Sequence, residues 1–217
     1  MEMRILLADD HQIFREGLSA LINAEKDMKV VGQAGNGREA LFIVKEMKPD
    51  IVILDISMPE LNGIDAAVEI KMIQPGIKII ALSMHSDKRY IKRILEAGAT
   101  GYLLKSCASR ELIQAIRAVR SNRSFFSDQV MEVILDDYTG KSKITSVTLE
   151  HKKLSRREME TLQLIAEGKS LKEIAVILGV SIKSIEVYKK QLMNKLNIDN
   201  IAGLIKYAIR EGITFLD

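Results

Sequence analysis

Four residues far apart in this chain stand in equivalent places. Asp9 and Asp10 follow one apolar run, Asp55 follows another and Lys105 follows a third. If each run is a buried strand, all four meet where the strands end, which is where open α/β sheets bind ligands. Three carboxylates and one ammonium at one point suit a divalent cation and a phosphoryl group. Mg2+ takes oxygen ligands from a few carboxylates, waters and phosphate. Asp10 and Asp55 suit direct ligation, with Asp9 direct or through water. The backbone carbonyl of Ser57, in the loop after Asp55, adds a neutral oxygen. A carboxylate can also attack phosphorus and form an acyl phosphate. Asp55 would do so while Mg2+ and Lys105 stabilise charge on the phosphoryl oxygens. Ser83, ending the fourth apolar run, offers a hydroxyl to a third oxygen. Tyr102, three residues before Lys105, is placed to swing as Ser83 moves. Singly, such residues are ordinary: an aspartate at a strand end is often a turn residue or a cap, and a tyrosine is often core. Their joint occurrence at the ends of strands one, three, four and five is what carries the chemistry.

The elements that must position these groups are legible from pattern. Apolar runs occur at Ile5–Ala8, Val30–Val31, Ile51–Leu54, Ile79–Leu82 and Tyr102–Leu104. They are short and rich in Ile, Val and Leu, as strands buried on both faces are. Between them lie helical spacings: Ile13, Leu18, Leu21 and Ile22; Ala40, Leu41, Val44 and Met47; Leu112, Ile113, Ile116 and Val119. Five strands alternating with five helices predict a doubly wound parallel sheet with helices on both faces.

Strand signals stop near residue 120. Residues 121–153 are mixed and polar, with Ser121-Asn122-Arg123-Ser124 and Thr139-Gly140-Lys141-Ser142, and read as a linker. Val130, Val133, Ile134 and Tyr138 have the spacing of a short helix within it. All three prolines, Pro49, Pro59 and Pro75, lie before it. After it the pattern is helical. Ser155-Arg156-Arg157-Glu158 and Ser170-Leu171-Lys172-Glu173 have the form of capping boxes. Gly168 and Gly179 stand where helices should stop. Ser181 opens a third helix and Asp199 or Asn200 a fourth, so residues 154–217 predict a small four-helix domain.

The totals bound the function classes only loosely. Of 217 residues, 47% are hydrophobic, enough for a packed core. Residues 153–217 carry 11 Lys and Arg against 8 Asp and Glu, and residues 1–128 carry 18 against 17, so any nucleic-acid argument must come from local clusters. Cys107 is the sole cysteine, which excludes an intrachain disulfide and a cysteine zinc site; it reads as an inert residue at a helix start. His11 and His85 lie near the site without a metal-ligand spacing. No apolar run approaches the roughly 18 residues of a spanning helix, and the N-terminus lacks a signal-peptide pattern. A cytoplasmic location, away from membranes, is the expectation.

Residues 1–120 closely resemble the receiver domain of two-component response regulators. The match rests on Leu7-Ala8-Asp9-Asp10-His11, on Asp55-Ile56-Ser57-Met58-Pro59-Glu60-Leu61-Asn62-Gly63, on Ala81-Leu82-Ser83, and on Gly98-Ala99-Thr100-Gly101-Tyr102-Leu103-Leu104-Lys105. The resemblance implies a flavodoxin-like fold and phosphoryl transfer to Asp55 from a phosphohistidine on a sensor histidine kinase. It also implies relay by Ser83 and Tyr102 to the face of the fourth helix, fifth strand and fifth helix. Many receivers have proline after the site lysine; here Ser106 stands there, which removes the expectation of a cis peptide.

In the C-terminal part, a helix ending near Leu178 and one spanning residues 181–196 are joined by Gly179-Val180. That is a helix-turn-helix arrangement, whose second helix enters the major groove. Lys183, Lys189 and Lys190 would neutralise phosphates or reach bases, and Ser181 and Ser184 can bond phosphates from the helix start. Glu186 facing DNA calls for a donor such as cytosine N4, and Val187 suits a thymine methyl. Alternating Lys and Glu are equally ordinary on a solvated helix, so the resemblance matters. Residues 154–214 look like the DNA-binding domain of NarL/FixJ regulators, the LuxR type. The match is carried by Leu154-Ser155-Arg156-Arg157-Glu158, Leu164-Ile165-Ala166-Glu167-Gly168-Lys169-Ser170, Lys172-Glu173-Ile174-Ala175, Ser181-Ile182-Lys183-Ser184-Ile185-Glu186-Val187 and Lys195-Leu196. Family members commonly have His where Tyr188 stands and Asn where Leu171 stands; Tyr188 keeps a polar tip able to reach a phosphate.

Together these residues predict a phosphorylation-activated regulator that binds double-stranded DNA, dimerises on phosphorylation, and uses the last helix (Leu204, Ile205, Tyr207, Ile209) as a candidate dimer surface. The enzyme alternative is a Mg2+-dependent phosphohydrolase of the haloacid-dehalogenase type. Such enzymes have a second aspartate two residues after the nucleophile, where this chain has Ser57, a poor general acid. Slow self-dephosphorylation, rather than turnover on small phosphate esters, is the expectation. The binding alternative is a receiver acting through other proteins, with a vestigial helical domain.

Overall fold

The computed structural model describes residues 2–84, 86–138 and 154–214. His85, residues 139–142 and the Tyr138 side chain therefore lie outside the described residues. The chain divides into two compact units, residues 1–143 and 144–217.

The first unit alternates β1 (Met3–Ala8), α1 (Gln12–Asn23), β2 (Met28–Ala34), α2 (Gly37–Met47), β3 (Ile51–Asp55), α3 (Gly63–Ile73), β4 (Lys78–Ser83), α4 (Lys88–Glu96), β5 (Gly101–Leu104) and α5 (Ala108–Arg120). Beyond the five expected strands the chain adds β6 (Phe125–Phe126), and the short helix expected within the linker stretch forms as α6 (Asp128–Tyr138). The sheet is parallel throughout, in the order β2-β1-β3-β4-β5-β6. Sheet order reverses between β1 and β3, the crevice where Asp9, Asp10 and Asp55 stand. β3 is buried at every position and β4 at all but its first, as their unbroken apolar runs require.

One face of the sheet packs Ile5, Leu7, Ile53 and Leu82 against Leu18 and Ile22 of α1 and Leu112, Ile116 and Val119 of α5. In α1 the inward stripe is narrower than its apolar pattern: Ile13 is 87% exposed and Leu21 also faces solvent. Side-chain caps set helix starts: Asn36 accepts from Glu39 N, Asn62 from Asp65 N and Asp87 from Arg89 N. Gly63 has a further role. A Cβ there would lie 1.9 Å from the Asp55 carbonyl oxygen, so α3 can start against the end of β3 only with glycine.

The second unit comprises α7 (Arg156–Ala166), α8 (Leu171–Leu178), α9 (Ile182–Leu196) and α10 (Ile201–Arg210). Both expected capping boxes form, at Ser155–Glu158 and Ser170–Glu173. Gly168 and Gly179 take left-handed backbone after α7 and α8, and Asn200 caps α10. Leu162, Leu164, Ile174, Ile185, Leu192, Leu204 and Ala208 form the core. Glu158 is buried beneath it, held by Ser155 N at 2.6 Å and by Lys195 Nζ at 2.7 Å. Burial would raise its carboxyl, but these hydrogen bonds outweigh it and leave its pKa below the ordinary value.

Candidate functional site

Strand ends bring the four chemistry-bearing side chains together. Lys105, one residue beyond β5, places Nζ 2.8 Å from Asp55 Oδ2 and 2.8 Å from Asp9 Oδ2. Asp55 is fully buried and Asp9 nearly so, while Asp10 faces the opening. Local backbone geometry orients the acids. Ser57 N donates to Asp55 Oδ1 at 3.2 Å, and His11 N donates to Asp9 Oδ1 at 2.9 Å. Arg15 donates to the Asp9 carbonyl. Asp9 Oδ2 accepts no well-aligned hydrogen bond; the Lys105 charge is what it faces. The ring of Phe14 lies 5.2 Å from Lys105 Nζ and closes one side.

Electrostatics follow from this burial. Desolvation pushes the Asp55 carboxyl up to about 6, the Lys105 charge pulling it down and the Asp9 charge pushing it up. For Lys105, burial pulls the ammonium down, but Asp55 and Asp9 more than reverse that and hold its pKa above the ordinary value. Asp9, Asp10, Asp55 and His11 each present a ligand atom, all within 4.8 Å of one another, so this acidic group can hold a metal ion. His11 is a member that its spacing does not reveal: its Nδ1 lies 2.8 Å from Asp10 Oδ1. Adjacency to the acid pair is the one signal of it in the sequence.

Ser83 ends β4, fully buried, and its side chain is hydrogen-bonded to Tyr102 on the neighbouring strand. Tyr102 is itself fully buried, and burial pushes its phenol up to about 12. Lys105 N donates to the Ser83 carbonyl at 2.8 Å, so Ser83, Tyr102 and Lys105 form one connected end of the sheet. The Ser57 hydroxyl is buried with no hydrogen-bond partner among the described residues.

In the second unit, Ser181 caps α9, accepting from Ser184 N at 3.1 Å, and the two hydroxyls lie 2.9 Å apart. Lys183, Glu186, Val187 and Lys190 are exposed along one side of α9. Tyr188 and Lys189 are half-buried, and the Tyr188 ring packs against the helical core. The α8–Gly179–α9 geometry is thus a helix-turn-helix with a polar second helix.

Residues 5–117 match the response regulator receiver domain, and residues 152–208 match the bacterial regulatory proteins of the luxR family. The oxygen regulatory protein NreC of Staphylococcus epidermidis is 37% identical over 215 residues, covering 97% of this chain and 99% of its own. This chain is a two-component response regulator of the LuxR family. Among solved structures of such regulators, a LuxR-family protein from Aurantimonas sp. is 34% identical with a TM-score of 0.62, covering 64% of this chain and 99% of that one. RcsB from Salmonella enterica serovar Typhimurium, bound to promoter DNA in the presence of phosphomimetic BeF3-, is 29% identical. Its TM-score is 0.60, covering 95% of this response regulator and 98% of RcsB. Among the described residues of the regulator, no helix is long and apolar enough to cross a membrane.

Proposed function

We propose that Asp55 is the phosphoryl acceptor and that its phosphorylation, in the cytoplasm, controls promoter binding by the second unit. The observation that carries this reading is Lys105 Nζ held 2.8 Å from both Asp55 and Asp9 at the strand ends. The donor is a phosphohistidine on a sensor histidine kinase. An Asp55 oxygen attacks phosphorus, an O–P bond forms, the N–P bond breaks, and the departing imidazole takes a proton. Lys105 then follows the charge from the carboxylate to a phosphoryl oxygen. Ser83 donates its hydroxyl to another, and Tyr102, hydrogen-bonded to it, follows.

Mg2+ fits these residues on charge grounds. Three carboxylates face one ammonium, an excess of negative charge that a divalent cation offsets. Asp9, Asp10, Asp55 and the Ser57 carbonyl would hold it. When bound it supplies positive charge to the phosphoryl oxygens. Hydrolysis of the acyl phosphate is slow and uncatalysed by a second acid, because Ser57 occupies the position where a general acid would stand.

At the other end, Lys183, Lys189 and Lys190 meet phosphates or base edges, Ser181 and Ser184 flank the helix start, Glu186 accepts from cytosine, Val187 covers a thymine methyl, and Tyr188 offers its hydroxyl to a phosphate. Phosphorylated copies pair as a homodimer and present two α9 helices to half-sites about one helical turn apart. The test is genomic footprinting of the protein with and without beryllofluoride. Protected sites that appear or strengthen with the phosphoryl mimic support the switch; identical footprints refute it.

A further inference from the structure

The edge of β5 would end the sheet with unpaired backbone groups, yet the chain returns to cover it. Phe125 N donates to the Thr100 carbonyl at 3.2 Å and Ser127 N to the Tyr102 carbonyl at 3.1 Å. Ser127 is 1% exposed and polar, and it acts as a latch. Its hydroxyl donates to Glu111 Oε2 in the first turn of α5 at 2.7 Å and accepts from Leu104 N at 3.3 Å. The Ser127 carbonyl then accepts from Val130 N and Met131 N, which starts α6. Val130 is fully buried, and α6 packs on β5 and α4.

The two helices differ in charge. Asp128, Glu132 and Asp136 are spaced four apart and share a face of α6, which carries no Lys or Arg. α4 carries Lys88, Arg89, Lys92 and Arg93. All three acids are exposed, and Asp128 and Glu132 lie on the side of α6 opposite the buried Val130, so Val130 and the Ser127 hydrogen bonds are what dock the helix.

We propose that the β5 edge and α4 form a docking surface whose occupant is this chain's own segment 125–136, and that phosphorylation of Asp55 loosens it. This clasp is the route by which the acceptor's state reaches the chain leading to the DNA-binding unit. It rests on the reading of Asp55 as phosphoryl acceptor. The coupling runs through two adjacent residues. Leu104 N is held by the Ser127 hydroxyl, and Lys105, next in the chain, holds Asp55. When the charge at Asp55 moves outward onto a phosphoryl group, Lys105 follows it. Leu104 shifts with it, away from the longest bond of the latch.

Hydrogen exchange on the full chain tests this, with Mg2+ alone and with Mg2+ and beryllofluoride. A parallel sample treated with a small acyl phosphate is weighed intact to establish whether Asp55 takes a phosphoryl group. Loading is expected to speed exchange of the Phe125, Ser127 and α6 amides about tenfold or more, while β1 amides keep their protection. Ser127→Ala is expected to produce the same rise without loading, and Ser127→Thr is not. Should Ser127→Ala also lose β1 protection, Glu111→Gln takes its place, weakening the latch without emptying it. Unchanged or stronger protection of residues 125–136 in protein shown by mass to load overturns the clasp's coupling, as does a latch variant that exchanges like the wild type. Absence of any mass increase instead refutes Asp55 as acceptor; the coupling then falls with it, and the unloaded variants alone decide whether the latch exists.

Discussion

Replacing Asp55 by Asn should stabilise the metal-free protein at neutral pH, although it removes a partner of Lys105. In the fold the Asp55 carboxyl stands at about 6 against an ordinary 3.8. At 1.36 kcal/mol per pH unit, that gap corresponds to about 3 kcal/mol of destabilisation once the group is ionised. The sign follows from proton counting. Between pH 3.8 and about 6 the folded state keeps a proton that the unfolded chain has released, so stability falls as pH rises through this window. The full cost is present above about pH 7, roughly half of it remains at pH 5, and it is absent well below pH 3.8. Asn carries no such cost, and its side-chain oxygen still accepts from Lys105. Urea unfolding of the full chain in chelator, followed by far-ultraviolet circular dichroism, should place the Asp55→Asn receiver transition about 1–2 M above the wild type at pH 7.5. At pH 5 the separation should roughly halve. Divalent metal should narrow it too, because binding to the ionised site stabilises the wild type alone, by about 2.7 kcal/mol at a hundred times Kd. Equal midpoints at pH 7.5 in chelator, or a separation that does not close on acidification, would refute the argument.

Gly63→Ala forces a Cβ to within 1.9 Å of the Asp55 carbonyl oxygen, so it should cost about 3 kcal/mol or more and strip hydrogen-exchange protection from β3. Glu158→Gln takes the charge from a buried carboxylate paired with the part-exposed Lys195 and should cost about 1–3 kcal/mol in urea unfolding at pH 7. Because the folded Glu158 pKa is lowered, its contribution is complete above the ordinary 4.5 and disappears as pH falls through the folded value, so the two proteins should converge in acid. Lys190→Ala should weaken duplex binding and lower the slope of log affinity against log salt by about 1; an unchanged slope removes Lys190 from the interface.

Much of the receiver site is legible in the sequence, because strand ends are marked twice: by where an apolar run stops and by the charged residue that follows. Asp9, Asp55 and Lys105 each carry both marks. Asp10 shares the first of these marks with Asp9; His11 is harder, since a side chain at a turn depends on backbone angles that spacing does not encode. The close approach of Gly63 to Asp55 is likewise a three-dimensional fact; in the sequence it is one glycine after a cap. β6 leaves no trace in the pattern because two residues, Phe125 and Phe126, give no period, and their pairing comes from the β5 edge they cover. The same holds for Ser127, an ordinary polar residue in sequence and a buried latch in the fold. In the helical unit, capping boxes and glycine stops make the boundaries legible. The half-buried position of Tyr188 follows from spacing: it stands three residues after Ile185 and four before Leu192, both fully buried, so its ring falls on the core stripe of α9.

The central claim is that a carboxylate at position 55 stores a phosphoryl charge. The direct measurement is intact and peptide mass spectrometry after incubation with a phosphorylated sensor kinase and Mg2+. One phosphoryl group on the peptide containing Asp55, absent from Asp55→Asn, is the predicted result. An unlabelled wild type, or label that persists in Asp55→Asn, would contradict the account.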